Sequence, residues 1–160
     1  MSCFEELGNT VTEPDNTNRA IDTLVIHCSA TEYGVEYDAM DIHGWHLDNG
    51  WSGIGYHYVI TVDGTIQKGR SDDCEGAHAE GYNSSSIGIC LIGGLDSEGI
   101  VHDNGYNVVQ YKTLFYLLRE LNDFYPTSLI VGHKELPNVN KACPCLSQTY
   151  LDLIRNLIKG

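Results

Sequence analysis

Two histidines in this sequence stand immediately after short apolar runs: His27 follows Leu24, Val25 and Ile26, and His133 follows Leu129, Ile130, Val131 and Gly132. Cys143 lies ten residues beyond the second histidine. Strand ends at one edge of a sheet can converge, and two imidazoles with one thiolate supply three ligands for tetrahedral zinc. The fourth position is then left for water, as a catalytic zinc site requires. An ion held in this way polarises its water towards hydroxide near neutral pH and can bind the oxygen of a carbonyl under attack. The same residues admit a plainer reading, because a histidine at a strand end is commonly a hydrogen-bonded structural residue.

The elements that must position these groups follow from periodicity. Thr23 to Ile26 is β-branched and apolar, the pattern of a buried strand that delivers His27 at its end. Asp38 can cap a helix running to Asn49, with Met40, His43 and Leu47 on one stripe, Ile42, Trp45 and His46 beside it, and Gly50 as the stop. His43 and His46 are three apart on that helix and could chelate a metal, but Gly44 and Trp45 between them suggest surface packing, so both are read as structural. Tyr56 to Val62 and Thr65 to Lys68 read as strands joined by a two-residue Asp63-Gly64 hairpin turn. A Gly- and Ser-rich loop over 76–85 precedes a strand from Ser86 to Ile92. Tyr111, Leu114, Phe115, Leu118 and Leu121 recur at helical spacing over 108–124, and Pro126 ends that helix. Leu129 to Gly132 is a further strand. Ser147 can cap a last helix whose buried stripe is Leu151, Ile154, Leu157 and Ile158. Alternating strands and helices predict one α/β domain, a mixed central β-sheet flanked by helices, over residues 21–160. Residues 1–20 are polar and aperiodic and are expected to form a flexible N-terminal tail.

Composition bounds the function. With 160 residues, 42% of them hydrophobic, one continuous core is affordable and two are not. Nine Lys plus Arg against 22 Asp plus Glu give a net charge of -13, a field that repels phosphate backbones and argues against nucleic-acid binding. No stretch approaches the roughly 20 apolar residues of a membrane helix, and the N-terminus has neither the basic nor the apolar region of an export signal. Synthesis in a reducing cytoplasm follows as the expectation. The six cysteines (Cys3, Cys28, Cys74, Cys90, Cys143 and Cys145) are accordingly read as thiols or metal ligands rather than a disulfide framework. His102, in a polar segment, is read as solvated.

The strings VIHCSAT (25–31), GWSGIGYHYVI (50–60), GAHAEGYNSSSIGICLIGG (76–94), GHKEL (132–136) and KACPC (141–145), in this order, resemble the type 2 family of N-acetylmuramoyl-L-alanine amidases, and especially its phage lysozymes. The resemblance spans about residues 22–158. It implies a Zn2+ enzyme on the fold of the peptidoglycan recognition proteins. The substrate implied is bacterial peptidoglycan, cut between the lactyl group of N-acetylmuramic acid and L-alanine. Residue by residue, it implies His27, His133 and Cys143 as zinc ligands, Tyr56 and Lys141 as the catalytic positions, and His78 as a supporting substrate-binding residue. Chemistry agrees with these assignments: Lys141, two residues from a ligand, can stabilise a developing oxyanion, and Tyr56 can donate to it or move a proton towards the leaving amine. Without the resemblance, Tyr56 reads equally as a core-packed strand tyrosine and Lys141 as an ordinary exposed lysine. His57 should point to the face opposite Tyr56. Cys145 departs from the family pattern by placing a second thiol near the metal; the match at KACP assigns the ligand position to Cys143.

A phage endolysin or a bacterial wall-remodelling enzyme, acting as a monomer at the cell wall, is therefore expected. The rival from another class is a non-catalytic peptidoglycan-binding module, since the recognition-protein branch can bind muropeptides without cutting them. Such binders typically lack the third ligand, the position that Cys143 fills here. An amidase acting on another substrate is the second alternative.

Overall fold

In the computed structural model, which describes residues 2–160, five strands form a sheet in the order β4-β3-β5-β1-β7. They are β1 (Thr23–Cys28), β3 (Tyr58–Ile60), β4 (Ile66–Lys68), β5 (Ser86–Leu91) and β7 (Leu129–Gly132). Only β3 and β4 pair antiparallel; the other neighbours run parallel, so the sheet is mixed as expected. Two short strands, β2 (Thr31–Glu32) and β6 (Gly94–Leu95), make a separate parallel ladder. Helices α1 (Ala39–Asp48), α2 (Val108–Phe124) and α3 (Gln148–Lys159) flank the main sheet.

Period-two alternation decides which residues meet the helices. Leu24, Ile26 and Cys28 of β1 and Ile87, Ile89 and Leu91 of β5 enter the main core with Leu114, Leu117, Leu118 and Leu121 of α2 and Leu151 and Ile154 of α3. The alternate residues face the other way. There Val59 and Cys90 pack with Ala39 and Ile42 of α1, and Val25 packs with Ala79 and Leu136 of the loops. His27 belongs to this second face, which α1 and the loops cover.

Helix starts follow their caps. The Asp38 side chain accepts from Asp41 N, Asn107 accepts from Gln110 N, and Ser147 accepts from Tyr150 N, each satisfying a free donor of the first turn. The buried stripes differ from expectation in detail. Helix α1 buries Ala39 and Ile42, while Met40 and Leu47 are about half exposed. Along α3, Leu157 is exposed next to Leu153, while Leu151 and Ile154 are buried and Ile158 packs half-buried against the core. The hairpin is also longer than predicted. Thr61 N donates to Thr65 O and Gly64 N to Thr61 O, a three-residue loop in which Gly64 takes the left-handed conformation at φ +82°.

Within residues 2–20, expected as a loosely held tail, residues 8–11 pair along the sheet edge. Gly8 N donates to Lys68 O, Lys68 N to Asn9 O and Val11 N to Ile66 O, so this segment occupies the open ladder of β4. An edge strand leaves such groups unpaired, and a segment without apolar periodicity can satisfy them through its backbone alone. The segment also covers a buried charge. Lys68 is ion-paired with the equally buried Asp72, Tyr58 donates its hydroxyl to the same carboxylate, and Asp15 stands 3.6 Å from the ammonium. Arg19 ties the segment to the sheet by donating to the carbonyl oxygens of Asp72, Asn83, Ser84 and Ser86.

The cysteines depart from expectation as well: Cys3 and Cys74 form a disulfide, while Cys28, Cys90, Cys143 and Cys145 are free thiols. The edge pairing of residues 8–11 brings Cys3 beside the loop after β4, and no local spacing announces that contact. Closing a loop with a sequence separation of 71 restricts the unfolded chain and contributes on the order of 2–4 kcal/mol. Cys3→Ser should therefore lower the melting temperature of the oxidised protein by roughly 5–15 °C. A reducing agent should bring the native protein down to the variant's value. Coincident melting curves for oxidised native protein and variant would contradict this role.

Candidate metal centre

Strands β1 and β7 pair in parallel with Ile26 opposite Gly132, so the next residues, His27 and His133, emerge side by side. Their ring centroids are 4.5 Å apart. The loop carrying Cys143 folds back over them: Lys134 N donates to Cys143 O at 2.8 Å, and Cys145 N donates to Ala142 O at 2.7 Å. Close approach of this loop needs Gly132, because a Cβ there would fall 2.9 Å from Pro144 Cδ and 3.0 Å from Leu151 Cδ1. Cys143 Sγ ends 3.7 Å from His27 Nδ1 and accepts from Cys28 N at 3.3 Å.

One ligand atom from each of His27, His133 and Cys143 lies within 4.8 Å of the others. Tetrahedral zinc, with nitrogens at about 2.0–2.1 Å and sulfur at about 2.3 Å, holds its ligand atoms roughly 3.3–3.7 Å apart. The set can close on such an ion with shifts of roughly an ångström. Protonation favours it too. Burial, then the neighbouring His78 and His133, hold His27 well below the usual imidazole range, and burial followed by the charge of Lys141 lowers His133. Both rings are thereby biased to the neutral form that a metal takes. The donor set of two imidazoles and one thiolate therefore fits zinc with one position free.

Cys145 does not join them. It is buried, with its Sγ turned 3.7 Å from Cys28 Sγ and away from the histidines. Tyr56 packs against His27 with ring centroids 5.0 Å apart, and burial keeps its phenol protonated well past the usual range. Lys141 is exposed, close enough for its charge to bear on both His27 and His133.

The remaining histidines have other partners. His57 is fully buried: Nδ1 accepts from Gly88 N at 3.0 Å, and Nε2 lies 2.9 Å from Cys74 O. Both residues precede β3, and the rings of His57 and Tyr56 stand 5.8 and 6.5 Å from that of His78, so the expected split onto opposite faces is not what places them. His43 and His46 each present Nδ1 to a backbone N–H of the loop before Tyr56, from Ile54 at 3.1 Å and Gly55 at 3.0 Å. They are structural, as expected, and their task is to clamp the segment that aims Tyr56. His102 is exposed, against Tyr33. His78 engages both ring nitrogens within the protein, Nδ1 at 2.8 Å from His27 Nε2 and Nε2 at 3.1 Å from Ser86 Oγ. Burial drives its pKa down to about 3. Sequence reasoning missed the Cys28 N–H aimed at the Cys143 sulfur and the reach of Arg19 to the 83–86 loop; the second was hidden by assigning residue 19 to a tail.

Known proteins resemble this chain in sequence and in fold. The model of the N-acetylmuramoyl-L-alanine amidase family matches residues 17–145. The endolysin of Enterobacteria phage K11 is 40% identical over 119 residues, covering 74% of this chain and 77% of that protein. The solved structure of the endolysin N-acetylmuramoyl-L-alanine amidase LysCS from Clostridium intestinale superposes with a TM-score of 0.72 at 28% identity, covering 87% of this chain and 86% of that one. Drosophila PGRP-LB follows with a TM-score of 0.63 at 25% identity over 96% and 88% of the two chains. The family match, the phage relative and the shared fold agree with one another: the chain belongs to the type 2 family of N-acetylmuramoyl-L-alanine amidases.

Proposed function

We propose that this protein is a zinc-dependent N-acetylmuramoyl-L-alanine amidase that hydrolyses the amide between the lactyl group of N-acetylmuramic acid and the L-alanine of the stem peptide. It serves as a phage endolysin or as a wall-remodelling enzyme. The observation that carries the reading is the convergence of His27 and His133, at the ends of adjacent strands, with Cys143 of the loop that folds over them.

Zinc held there would supply a water of lowered pKa and a Lewis acid for the scissile carbonyl. The protein's own groups do the rest. Cys28 N–H donates to the Cys143 sulfur and so helps to hold it beside His27. Lys141 is an exposed cation whose charge reaches His27 and His133, and it would stabilise the negative charge that develops on the carbonyl oxygen. Tyr56 keeps its proton because burial disfavours the phenolate, so it stands ready as a donor to that oxygen or to the leaving amine. The packing of Tyr56 on His27, with His43 and His46 clamping the preceding loop, holds the ring beside the site.

The alternative of a non-catalytic binding module is disfavoured by the thiol at position 143, which completes a three-ligand set. Digestion of purified peptidoglycan, read by mass spectrometry, separates the two. Stem peptides with a free L-alanine amine are the expected product. Released disaccharides would mean a glycosidase, and binding without cleavage would mean a recognition module.

Roles within the reaction are tested by two variants. Lys141→Ala and Tyr56→Phe should each lower turnover on the order of 10²- to 10³-fold while zinc stays near one per chain, since both act on the transition state. A variant that loses its zinc together with its activity would show that the residue serves the metal instead.

A further inference from the structure

His78 is held more tightly than substrate binding requires. Asn83 Oδ1 accepts from both His78 N and Ala79 N at 2.9 Å, which fixes the backbone that carries the ring. The imidazole then fills a slot between two glycines: a Cβ on Gly88 would fall 2.7 Å from its ring atoms, and one on Gly76 would fall 2.4 Å from Cδ2. Within the slot the ring meets His27 edge-on, with centroids 4.9 Å apart and planes at 89°.

The 2.8 Å contact between His27 Nε2 and His78 Nδ1 needs one proton between the two nitrogens. His27 turns Nδ1 towards Cys143, so a metal shared with that sulfur takes the Nδ1 lone pair and leaves the ring proton on Nε2. His27 is then the donor and His78 Nδ1 the acceptor. His78 in turn carries its own proton on Nε2 and donates to Ser86 Oγ at 3.1 Å.

We propose that His78 is a positioning residue of the metal centre: it accepts the Nε2 proton of His27 and so fixes the ring orientation and the tautomer that presents a bare Nδ1. This rests on the zinc-amidase reading above. It assigns His78 to His27 rather than to the substrate. A hydrogen bond of this kind also raises the basicity of the ligand, and removing such outer partners typically weakens metal binding about 10- to 100-fold.

The test is the zinc dissociation constant of the full-length chain, measured by competition with a chromogenic chelator, for the native protein, His78→Ala and His78→Asn. The asparagine carbonyl can take the place of Nδ1 as acceptor. His78→Ala should bind zinc about 10- to 100-fold more weakly, and His78→Asn should recover most of that loss. Unchanged affinity in His78→Ala overturns the assignment, whether or not activity falls, because a loss of activity alone would place His78 on the substrate. Equal loss in both variants overturns it too. Should His78→Ala fail to fold, imidazole ¹⁵N spectra of the native metal-free protein decide: protons on Nε2 of both His27 and His78 support the assignment, and a proton on Nδ1 of His27 overturns it. A native protein that binds no zinc would sink the metal reading and this assignment together, whereas normal native binding with an unchanged variant sinks only the role of His78.

Discussion

The parallel pairing of β1 with β5 and β7 is the constraint from which the rest of the site follows. Ile26 opposite Gly132 sets His27 next to His133, and Gly88 opposite Val25 opens the space that His78 occupies on the same face. A slip of one residue in β1 would turn His27 into the main core and Ile26 out of it. Burial of Leu24, Ile26 and Cys28 against α2 and α3 forbids that slip, because each buried aliphatic side chain is worth roughly 1.5–3 kcal/mol. The hydrophobic pattern of one strand therefore fixes the geometry of a polar site on its opposite face.

Six of the seven histidines work inside the structure, and their partners divide the tasks. His27 and His133 turn lone pairs towards Cys143; His43 and His46 receive backbone N–H groups of the loop before Tyr56; His57 and His78 anchor the segment around Gly88 and Gly76. Desolvation keeps His27, His46, His57, His78 and His133 biased to the neutral form, in which one nitrogen accepts while the other donates. An ammonium or guanidinium in these places could only donate. Neutral imidazole can receive a backbone N–H at one nitrogen while it donates from the other, which suits it to these places.

Much of this was legible in the sequence because it is written in local patterns. Apolar runs marked β1 and β7, caps at Asp38 and Ser147 marked helix starts, and the histidine after each run lay where a strand end must present it. What escaped was decided by contacts between distant segments. The Cys3–Cys74 disulfide has no signature in spacing, and residues 8–11 join the sheet through backbone bonds that any sequence could make. The exposure of Met40, Leu47 and Leu157 likewise depends on where neighbouring elements stop, which periodicity alone does not encode. His78 was visible as a loop histidine, but its partner on β1 emerged only when the loop was closed over Gly88. The proximity of Cys145 to Cys143 in sequence left the ligand question open, and the direction of the two sulfurs bears on it most.

The central claim is that two histidines and one cysteine hold a zinc ion with one position open. Zinc K-edge X-ray absorption of the loaded protein reads that directly. The account predicts one sulfur at about 2.3 Å and two imidazole nitrogens at about 2.0–2.1 Å, with one further light atom from water. Two sulfurs in the shell, which would bring Cys145 or Cys28 to the metal, or a shell without imidazole, would contradict it.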